Sequence, residues 1–315
     1  MDSARPTPKA NAGIAHAQTR EELAGLRKFL TAAAFLLLCF CLPLYQVTVF
    51  ALHSEFSSYI ILIPFISGYL AWIERPHFYP TGATLPAGWA IALWTGGLGL
   101  LIWAALTFFD STRPELVELL GLTMYAMVLL LAGFACHFLG RRTLRYFAFP
   151  LAFLLFLAPF SAAVENSLET FLQHGSSMVA QAFFEVAGMP VLRTGTYFQL
   201  PGFNMQVAPE CSGLRSSMAL FLTSLVAGQL FLRSPWKRAI LVLIVLPLAL
   251  LRNGFRVFVI GELCVQIRPE MIDSWIHHHG GPVFFALSLI PFSLILYYLF
   301  KSESPTAQTA RPPQN

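Results

Sequence analysis

The sequence predicts an all-α fold, namely a polytopic transmembrane helical bundle of about eight spans with an extracytoplasmic amphipathic segment before span six. Of the 315 residues, 56% are hydrophobic and only 11% are charged, whereas a soluble domain has roughly 25% charged residues. The mean hydropathy is +0.64. Several apolar runs reach about 18 residues, which is long enough to cross a hydrocarbon layer of about 30 Å. This composition excludes an ordinary soluble enzyme.

The apolar runs and the polar segments between them define the predicted organisation. Residues 1–28 are polar and lack the apolar stretch and cleavage site of a signal peptide, so they are predicted to form a cytoplasmic tail. Residues 29–300 form the predicted membrane domain, and residues 301–315, rich in Pro and Gln, form a predicted disordered cytoplasmic tail. The predicted spans are 29–51, 57–74, 86–108, 117–139, 146–163, 213–232, 238–262 and 282–300.

The distribution of Lys and Arg predicts the orientation of these spans. An even number of spans leaves both termini on one side, and most of the 20 basic residues then share that side. By the positive-inside rule this side is cytoplasmic, so the net charge of +4 is a topology signal and not a sign of nucleic-acid binding. The residues on the predicted cytoplasmic side are Arg5, Lys9, Arg20, Arg27, Lys28, Arg75, Arg141, Arg142, Arg145, Arg233, Lys237, Arg238, Lys301 and Arg311.

The longest segment between spans, residues 164–212, is predicted to lie outside the cytoplasm. Within Glu165–Ala187, apolar side chains recur among Glu, Gln, His and Ser at spacings that are compatible with an interfacial amphipathic helix. Gly and Pro then bracket a short stretch, Thr196–Leu200, that is typical of turns or a hairpin. This segment leads directly to the first of three polar motifs.

The first motif, Val207–Ser217, contains Cys211 at the predicted outer end of span six. About 20 residues separate Gly213, in this motif, from Arg233 on the predicted cytoplasmic side, which is enough to cross the membrane once. The start of a helix and Arg215, four residues on, would both favour a thiolate at Cys211. The alternative is a structural Cys buried in a Ser/Gly helix contact. Cys39, Cys41, Cys136 and Cys264 lie in or next to apolar runs, as small hydrophobic residues do.

The second motif lies in predicted span seven and includes Arg252, Asn253 and Arg256. Arg256 follows the cytoplasmic Arg238 by 18 residues, or roughly 27 Å of helix, which places it near the outer boundary. An ionisable side chain within a span indicates a functional site unless it extends to the interface. Asn253 and Arg256 are three residues apart and share a helix face, which favours a polar pocket.

The third motif is a run of histidines, His277, His278 and His279, before the last span. Three adjacent histidines on a helix cannot face one metal ion, and no acidic or Cys companion has metal-ligand spacing, so no metal and no cofactor is predicted. One histidine acting as a base is the favoured interpretation. The alternative is a solvent-exposed loop without a role.

The three motifs share one predicted side of the membrane, and together they supply the groups for acyl transfer. A Cys and His pair provides a nucleophile and a proton carrier, and an Arg provides a fixed positive charge for an oxyanion. At these residues the sequence resembles the exosortase/archaeosortase family of membrane cysteine transpeptidases. The matching motifs are Cys211–Arg215 (Cys-Ser-Gly-Leu-Arg), Asn253–Arg256 (Asn-x-x-Arg) and His277 with Gly281 and Phe285.

The resemblance implies roles for the residues of these motifs. Cys211 would form a thioester with the substrate, Arg256 would stabilise the tetrahedral intermediate and His277 would be the general acid and base. His278 and His279 are alternatives to His277. The supporting residues are Glu210, Arg215 and Asn253 in addition to His278 and His279.

The resemblance also implies the partners and the location of the protein. The substrates would be exported proteins that carry a C-terminal Pro-Glu-Pro-like motif, one hydrophobic helix and a basic tail. A surface lipid, a polysaccharide or water would be the acceptor, and the membrane would be a bacterial inner membrane with the site facing outward.

Two other functions are compatible with a polytopic membrane protein. A transporter or scaffold for an envelope polymer would need polar groups at mid-membrane in several spans, and few are present. A zinc-dependent membrane protease would need a ligand set such as HExxH, which the sequence lacks.

Overall fold

The computed structural model describes residues 8–74, 86–110, 116–139, 141–273 and 280–303. Within them the chain is predominantly helical, which confirms the predicted all-α membrane fold, and a small three-stranded sheet is added to the helices. Contacts within the chain divide it into two units, residues 1–162 and 163–315.

In its described residues, the first unit contains six helices and two short 3₁₀ segments. The 3₁₀ segments, Ser57–Leu62 and Leu154–Leu157, adjoin the third and the sixth helix. The helices are α1 (Pro8–Cys39), α2 (Cys41–His53), α3 (Ile63–Glu74), α4 (Ala87–Asp110), α5 (Leu116–Phe138) and α6 (Arg141–Phe153).

Helices α4 and α5 pack closely because small residues lie where they meet. A Cβ atom on Gly133 would be 2.4 Å from the Trp94 ring, and one on Gly97 would be 2.9 Å from Leu130. Small residues allow membrane helices to approach to this distance and to associate by van der Waals packing. The rest of α4 exposes large apolar side chains such as Trp89 and Trp103, as expected of a surface in contact with lipid.

Among the described residues, six helices are long and apolar enough to cross a membrane, and the number rises to eight if each of two bent helix pairs is one span. The first pair, Ala24–Cys39 with Cys41–His53, bends by 65°. The second, Thr143–Leu157 with Ala162–Val186, bends by 94°. Predicted span five falls on this second pair, whose first arm of 15 residues is about 22 Å long and too short to cross alone.

Outside residues 274–279 and 304–315, the second unit contains five helices, the sheet and two 3₁₀ segments. The helices are α7 (Ala162–Val186), α8 (Leu214–Phe231), α9 (Pro235–Leu243), α10 (Val245–Gln266) and α11 (Gly281–Lys301). The 3₁₀ segments are Pro209–Cys211 and Pro269–Asp273. The predicted amphipathic helix is therefore present as α7, which buries Leu172 and Phe184 and exposes Leu168, Phe171 and Met178.

The sheet has the order β1-β2-β3 with β1 as Leu192–Thr194, β2 as Tyr197–Leu200 and β3 as Phe203–Gln206. Both pairings are antiparallel, and Phe198 lies opposite Arg193 on one side and Met205 on the other. Two-residue turns join the strands, with Gly195 and Gly202 at positive φ. The sequence predicted turns or a hairpin here, and the structure has a sheet of three strands.

Helices α7 and α10 and the sheet share one hydrophobic core. Phe184 of α7 packs with Phe198 and Phe258 at ring-centroid distances of 5.8 and 5.2 Å. Gly254 and Gly261 of α10 permit this packing, since a Cβ atom on Gly254 would be 2.6 Å from Val179. The core therefore fixes the sheet against α10, the helix that carries the second sequence motif.

A second cluster of contacts joins the end of α11 to the segment before α9. The Glu303 carboxylate accepts hydrogen bonds from the backbone N–H groups of Arg233 and Ser234, at 2.8 and 2.9 Å. Lys237 donates to the Ser302 hydroxyl at 2.8 Å and lies 3.9 Å from Glu303. These backbone hydrogen bonds lower the pKa of Glu303.

Glu303→Gln is expected to reduce the thermal stability of the protein in detergent at pH 7. Because the folded pKa of Glu303 is depressed, its stabilisation is present above the ordinary Glu pKa, about 4.3, and is lost as the pH falls toward the folded value. The effect is on the order of 1 kcal/mol, since the carboxylate is near the surface. Melting temperatures at pH 7 and at acidic pH measure it, and a difference between wild type and variant that grows on acidification would contradict the assignment.

Candidate active site

Cys211 lies in a tight turn that precedes α8. The 3₁₀ segment Pro209–Cys211 is closed by hydrogen bonds from the N–H of Cys211 to Ala208 O and from the N–H of Ser212 to Pro209 O, both 2.9 Å. Gly213 follows with φ of +76°, and α8 starts at Leu214. The expected i,i+4 relation of Cys211 and Arg215 on one helix is therefore wrong, because the left-handed Gly213 separates the 3₁₀ turn from α8.

The side chain of Asn253, in α10, binds the backbone of this turn. Its Nδ2 donates to Cys211 O at 2.8 Å and to Ser212 O at 3.0 Å. Asn253 is 2% exposed, so both bonds form away from water, where an unpaired carbonyl would be costly. A side chain 42 residues away in sequence thus fixes the peptide that carries the thiol.

Arg252, the residue before Asn253, holds the third carbonyl of the turn. Its Nη2 donates to Gly213 O and to the Ser217 hydroxyl, both at 3.2 Å, and Ser217 in turn donates to Gly213 O at 2.8 Å. Arg252 is the only charged residue among the buried ones that the structure describes, at 7% exposure. Together, Arg252 and Asn253 bind three consecutive carbonyl groups, those of residues 211, 212 and 213.

Gly213 is required at this position for two independent reasons. Its φ of +76° is in the left-handed region, which other L-residues rarely adopt. A Cβ atom here would also lie 2.8 Å from Asn253 Oδ1 and 3.1 Å from Arg252 Nη2. The glycine therefore allows α10 to approach the turn closely enough for both side chains to bind it.

Arg256 is on α10, three residues after Asn253 and four after Arg252. Residues with these spacings share a helix face, so Arg256 is on the face of α10 that binds the Cys211 turn. Its side chain is half-buried, whereas Arg215, in the first turn of α8, is exposed. Two arginines one turn apart give this face a concentration of positive charge, and they repel each other unless an anion lies between them.

Gln173 of α7 is a further residue at this site, and the sequence motifs do not include it. Its side-chain N–H donates to the carbonyl of Val207, the residue that links β3 to the turn. Arg252 and Gly213 also contribute more to the site than the sequence indicates, because Arg252 binds the carbonyl of Gly213 and Gly213 allows α10 to approach the turn. A glutamine inside an amphipathic helix has no distinctive spacing, so no pattern could have identified it.

The Cys211 side chain borders the core that α7, α10 and the sheet share. It is partly exposed and packs against the cluster that includes Phe184, Met205 and Val257. Apolar walls around a partly accessible thiol restrict water at the sulfur while leaving one side open.

The remaining predicted site residues lie outside the described part of the structure. These are His277, His278 and His279, and the side chain of Glu210, whose backbone belongs to the 3₁₀ turn. Within the described residues, no three His, Cys, Asp or Glu side chains are grouped as a metal site would require.

Comparison with protein families gives a match that contains all the candidate site residues. The model of the transmembrane exosortases (Exosortase_EpsH) matches residues 51–294. The chain belongs to the transmembrane exosortase family. In this exosortase the match extends from the end of α2 into α11, so it includes the Cys211 turn, α10 and the histidine run.

Membership of the family confirms the resemblance seen in the sequence motifs. An exosortase is a multi-pass membrane protein that processes the sorting signals of exported proteins. Neither the curated proteins nor the solved structures contain a significant match to this chain.

Proposed function

We propose that the protein is a cysteine transpeptidase or protease that cleaves C-terminal sorting signals of exported proteins through a thioester on Cys211. The observation that carries this proposal is the binding of the Cys211, Ser212 and Gly213 carbonyls by Asn253 and Arg252. A cysteine that served only for packing would not require its backbone to be held by two buried polar side chains from another helix. A nucleophile does require such fixed geometry.

The reaction follows from the roles of three side chains. The Cys211 thiolate attacks the carbonyl carbon of the scissile peptide bond, and Arg256 stabilises the resulting oxyanion with its guanidinium. The C–N bond then breaks, and His277 gives a proton to the departing amine, which leaves a thioester on Cys211. An acceptor nucleophile or water attacks the thioester, transfers its proton to His277 and releases the thiolate. His278 and His279 are the alternatives to His277 in this role.

The substrate is an exported protein whose C-terminal tail has a Pro-Glu-Pro-like motif, one hydrophobic helix and a basic cluster. Such a helix would insert beside the bundle and present the motif at the outer boundary of a bacterial inner membrane. The excess of Lys and Arg in the opposite loops supports cytoplasmic termini and an outward-facing site. The 32 residues of Pro235–Gln266, which contain α9 and α10, extend about 48 Å, so this span is long enough to project beyond the hydrocarbon layer.

The proposal is tested by trapping the intermediate on an exported reporter that ends in such a tail. Wild-type protein is expected to cleave the reporter and to carry a hydroxylamine-sensitive adduct on Cys211, detectable by mass spectrometry. Cys211→Ala is expected to accumulate uncut reporter, with at least a thousandfold loss of cleavage, because no other thiol can replace the nucleophile.

Cys136→Ala is the matched control, since Cys136 is a thiol in α5 within the matched region. This variant is expected to cleave the reporter as wild type does. Cleavage by Cys211→Ala at the wild-type rate would show that Cys211 is not the nucleophile.

A further inference from the structure

The outer edge of β3 has backbone groups without a partner in the sheet. In the described residues β3 is paired only with β2, so its other side is a sheet edge. The N–H of Val207 donates to Thr196 O at 3.0 Å, which identifies Val207 and Thr196 as a hydrogen-bonded pair. Hydrogen-bonded pairs alternate along an antiparallel ladder.

This alternation determines which groups of β3 face outward. Met205–Phe198 and Phe203–Leu200 are the other hydrogen-bonded pairs, and Asn204 and Gln206 therefore direct their N–H and C=O groups away from β2. Both residues are exposed, and no described residue bonds to these outward groups. The edge thus offers two donors and two acceptors in the spacing of a further strand.

The two edges of the sheet differ in how they are protected. At the β1 edge the outward N–H belongs to Arg193, whose guanidinium is bound to Gly195 O at 2.7 Å and to Gln181 at 2.6 Å. Charged side chains of this kind prevent other strands from adding to a sheet. The β3 edge has no charged residue and no proline in the strand, so it lacks this protection.

The β3 edge also leads directly to the nucleophile. Gln206 precedes Cys211 by five residues, which span at most about 18 Å of extended chain. The carbonyl of Val207, between them, is held by Gln173. A peptide that lay along β3 would run about 4.8 Å from the strand, and its end beside Gln206 would be separated from the Cys211 turn by only these few residues of chain.

We propose that the extended segment of the substrate next to the scissile bond binds by adding a strand to the outer edge of β3. This inference rests on the proposed function of Cys211. Main-chain hydrogen bonds to Asn204 and Gln206 bind the peptide, and bonds of this kind depend little on the side chains of the tail.

The first test removes a backbone donor and keeps the ladder to β2. Asn204→Pro lacks the outward N–H, and proline is tolerated at an edge position because that N–H makes no bond within the sheet. It is expected to cleave the tailed reporter at least tenfold more slowly than Asn204→Ala, which keeps the N–H. The matched control is the other edge, where Arg193→Pro and Arg193→Ala are expected to differ by less than twofold.

The second test maps the bound peptide directly. Gln206→Cys in a Cys211→Ala background is combined with reporters that carry a single Cys at each of six consecutive positions around the Pro-Glu-Pro-like motif. Disulfide formation is expected at every second position, because side chains alternate along a strand. Equal disulfide yields at consecutive positions would overturn the added strand.

The outcomes separate this inference from the proposed function. If cleavage requires Cys211 but Asn204→Pro, folded and as abundant in the membrane as Asn204→Ala, cleaves as fast, the β3 edge is not the binding site and the proposed function stands. If cleavage does not require Cys211, the proposed function fails and the inference fails with it.

Discussion

Gly213→Ala is expected to reduce cleavage of a tailed reporter by more than a hundredfold. The left-handed conformation at φ of +76° costs alanine about 1–2 kcal/mol. The larger effect comes from the Cβ atom, which would lie 2.8 Å from Asn253 and 3.1 Å from Arg252. Since both partners are buried, they cannot move aside without releasing the carbonyl groups that position Cys211.

Two other glycines provide matched controls, because alanine there would pay the cost of the left-handed conformation without a steric clash. Gly188 and Gly195 have φ of +74° and +66°, and a Cβ atom at either would have no heavy atom within 4 Å. Gly188→Ala and Gly195→Ala are therefore expected to lower the melting temperature in detergent with less than a threefold change in cleavage. Wild-type cleavage by Gly213→Ala would show that the approach of α10 to the turn is not needed for activity.

Asn253→Asp is expected to be as damaging as Asn253→Ala, although it nearly preserves the shape of the side chain. The aspartate cannot donate to the carbonyls of Cys211 and Ser212 and would place a carboxylate oxygen near them. Each buried carbonyl that loses its donor costs about 1–3 kcal/mol, so a loss of cleavage of one hundredfold or more is expected for either variant.

The rate of Cys211 alkylation by a maleimide across pH distinguishes positioning from general destabilisation. In Asn253→Ala the pH profile of alkylation is expected to shift while the protein still melts cooperatively. Asn166→Ala, at an exposed position near the start of α7, is the control and is expected to match wild type. An unchanged alkylation profile in Asn253→Ala with normal cleavage would remove Asn253 from the site.

The membrane fold could be predicted from the sequence because the composition of the chain is itself the evidence for such a fold. Apolar length and the spacing of Lys and Arg depend on the bilayer, and they are visible without a structure. The bend of 94° between Thr143–Leu157 and Ala162–Val186 was not predicted, because the length of an apolar run does not indicate whether its helix bends. The third strand was also missed, since β3 has only four residues and includes Asn204, a residue type that strands disfavour.

The sequence predicted some residues of the candidate site and missed others, and there is a physical reason for this. Cys211 and Asn253 were recognisable because polar groups in or next to apolar spans are unusual. The bonds of Arg252 to Gly213 and of Gln173 to Val207 were not, because contacts between residues 39 and 34 positions apart leave no local pattern. The positive φ of Gly213 explains why Cys211 is not part of the helix that follows it.

The dependence of the Cys211 turn on α10 has a consequence for biosynthesis. The ribosome makes the Cys211 turn about 40 residues before Arg252 and Asn253, so a nascent chain that ends between them has Cys211 without the two side chains that bind the carbonyl groups of its turn. The thiol can take up its working geometry only after the next span has entered the membrane. Under the proposed function, synthesis order thereby delays any attack by the Cys211 thiol on neighbouring chains until α10 has been made.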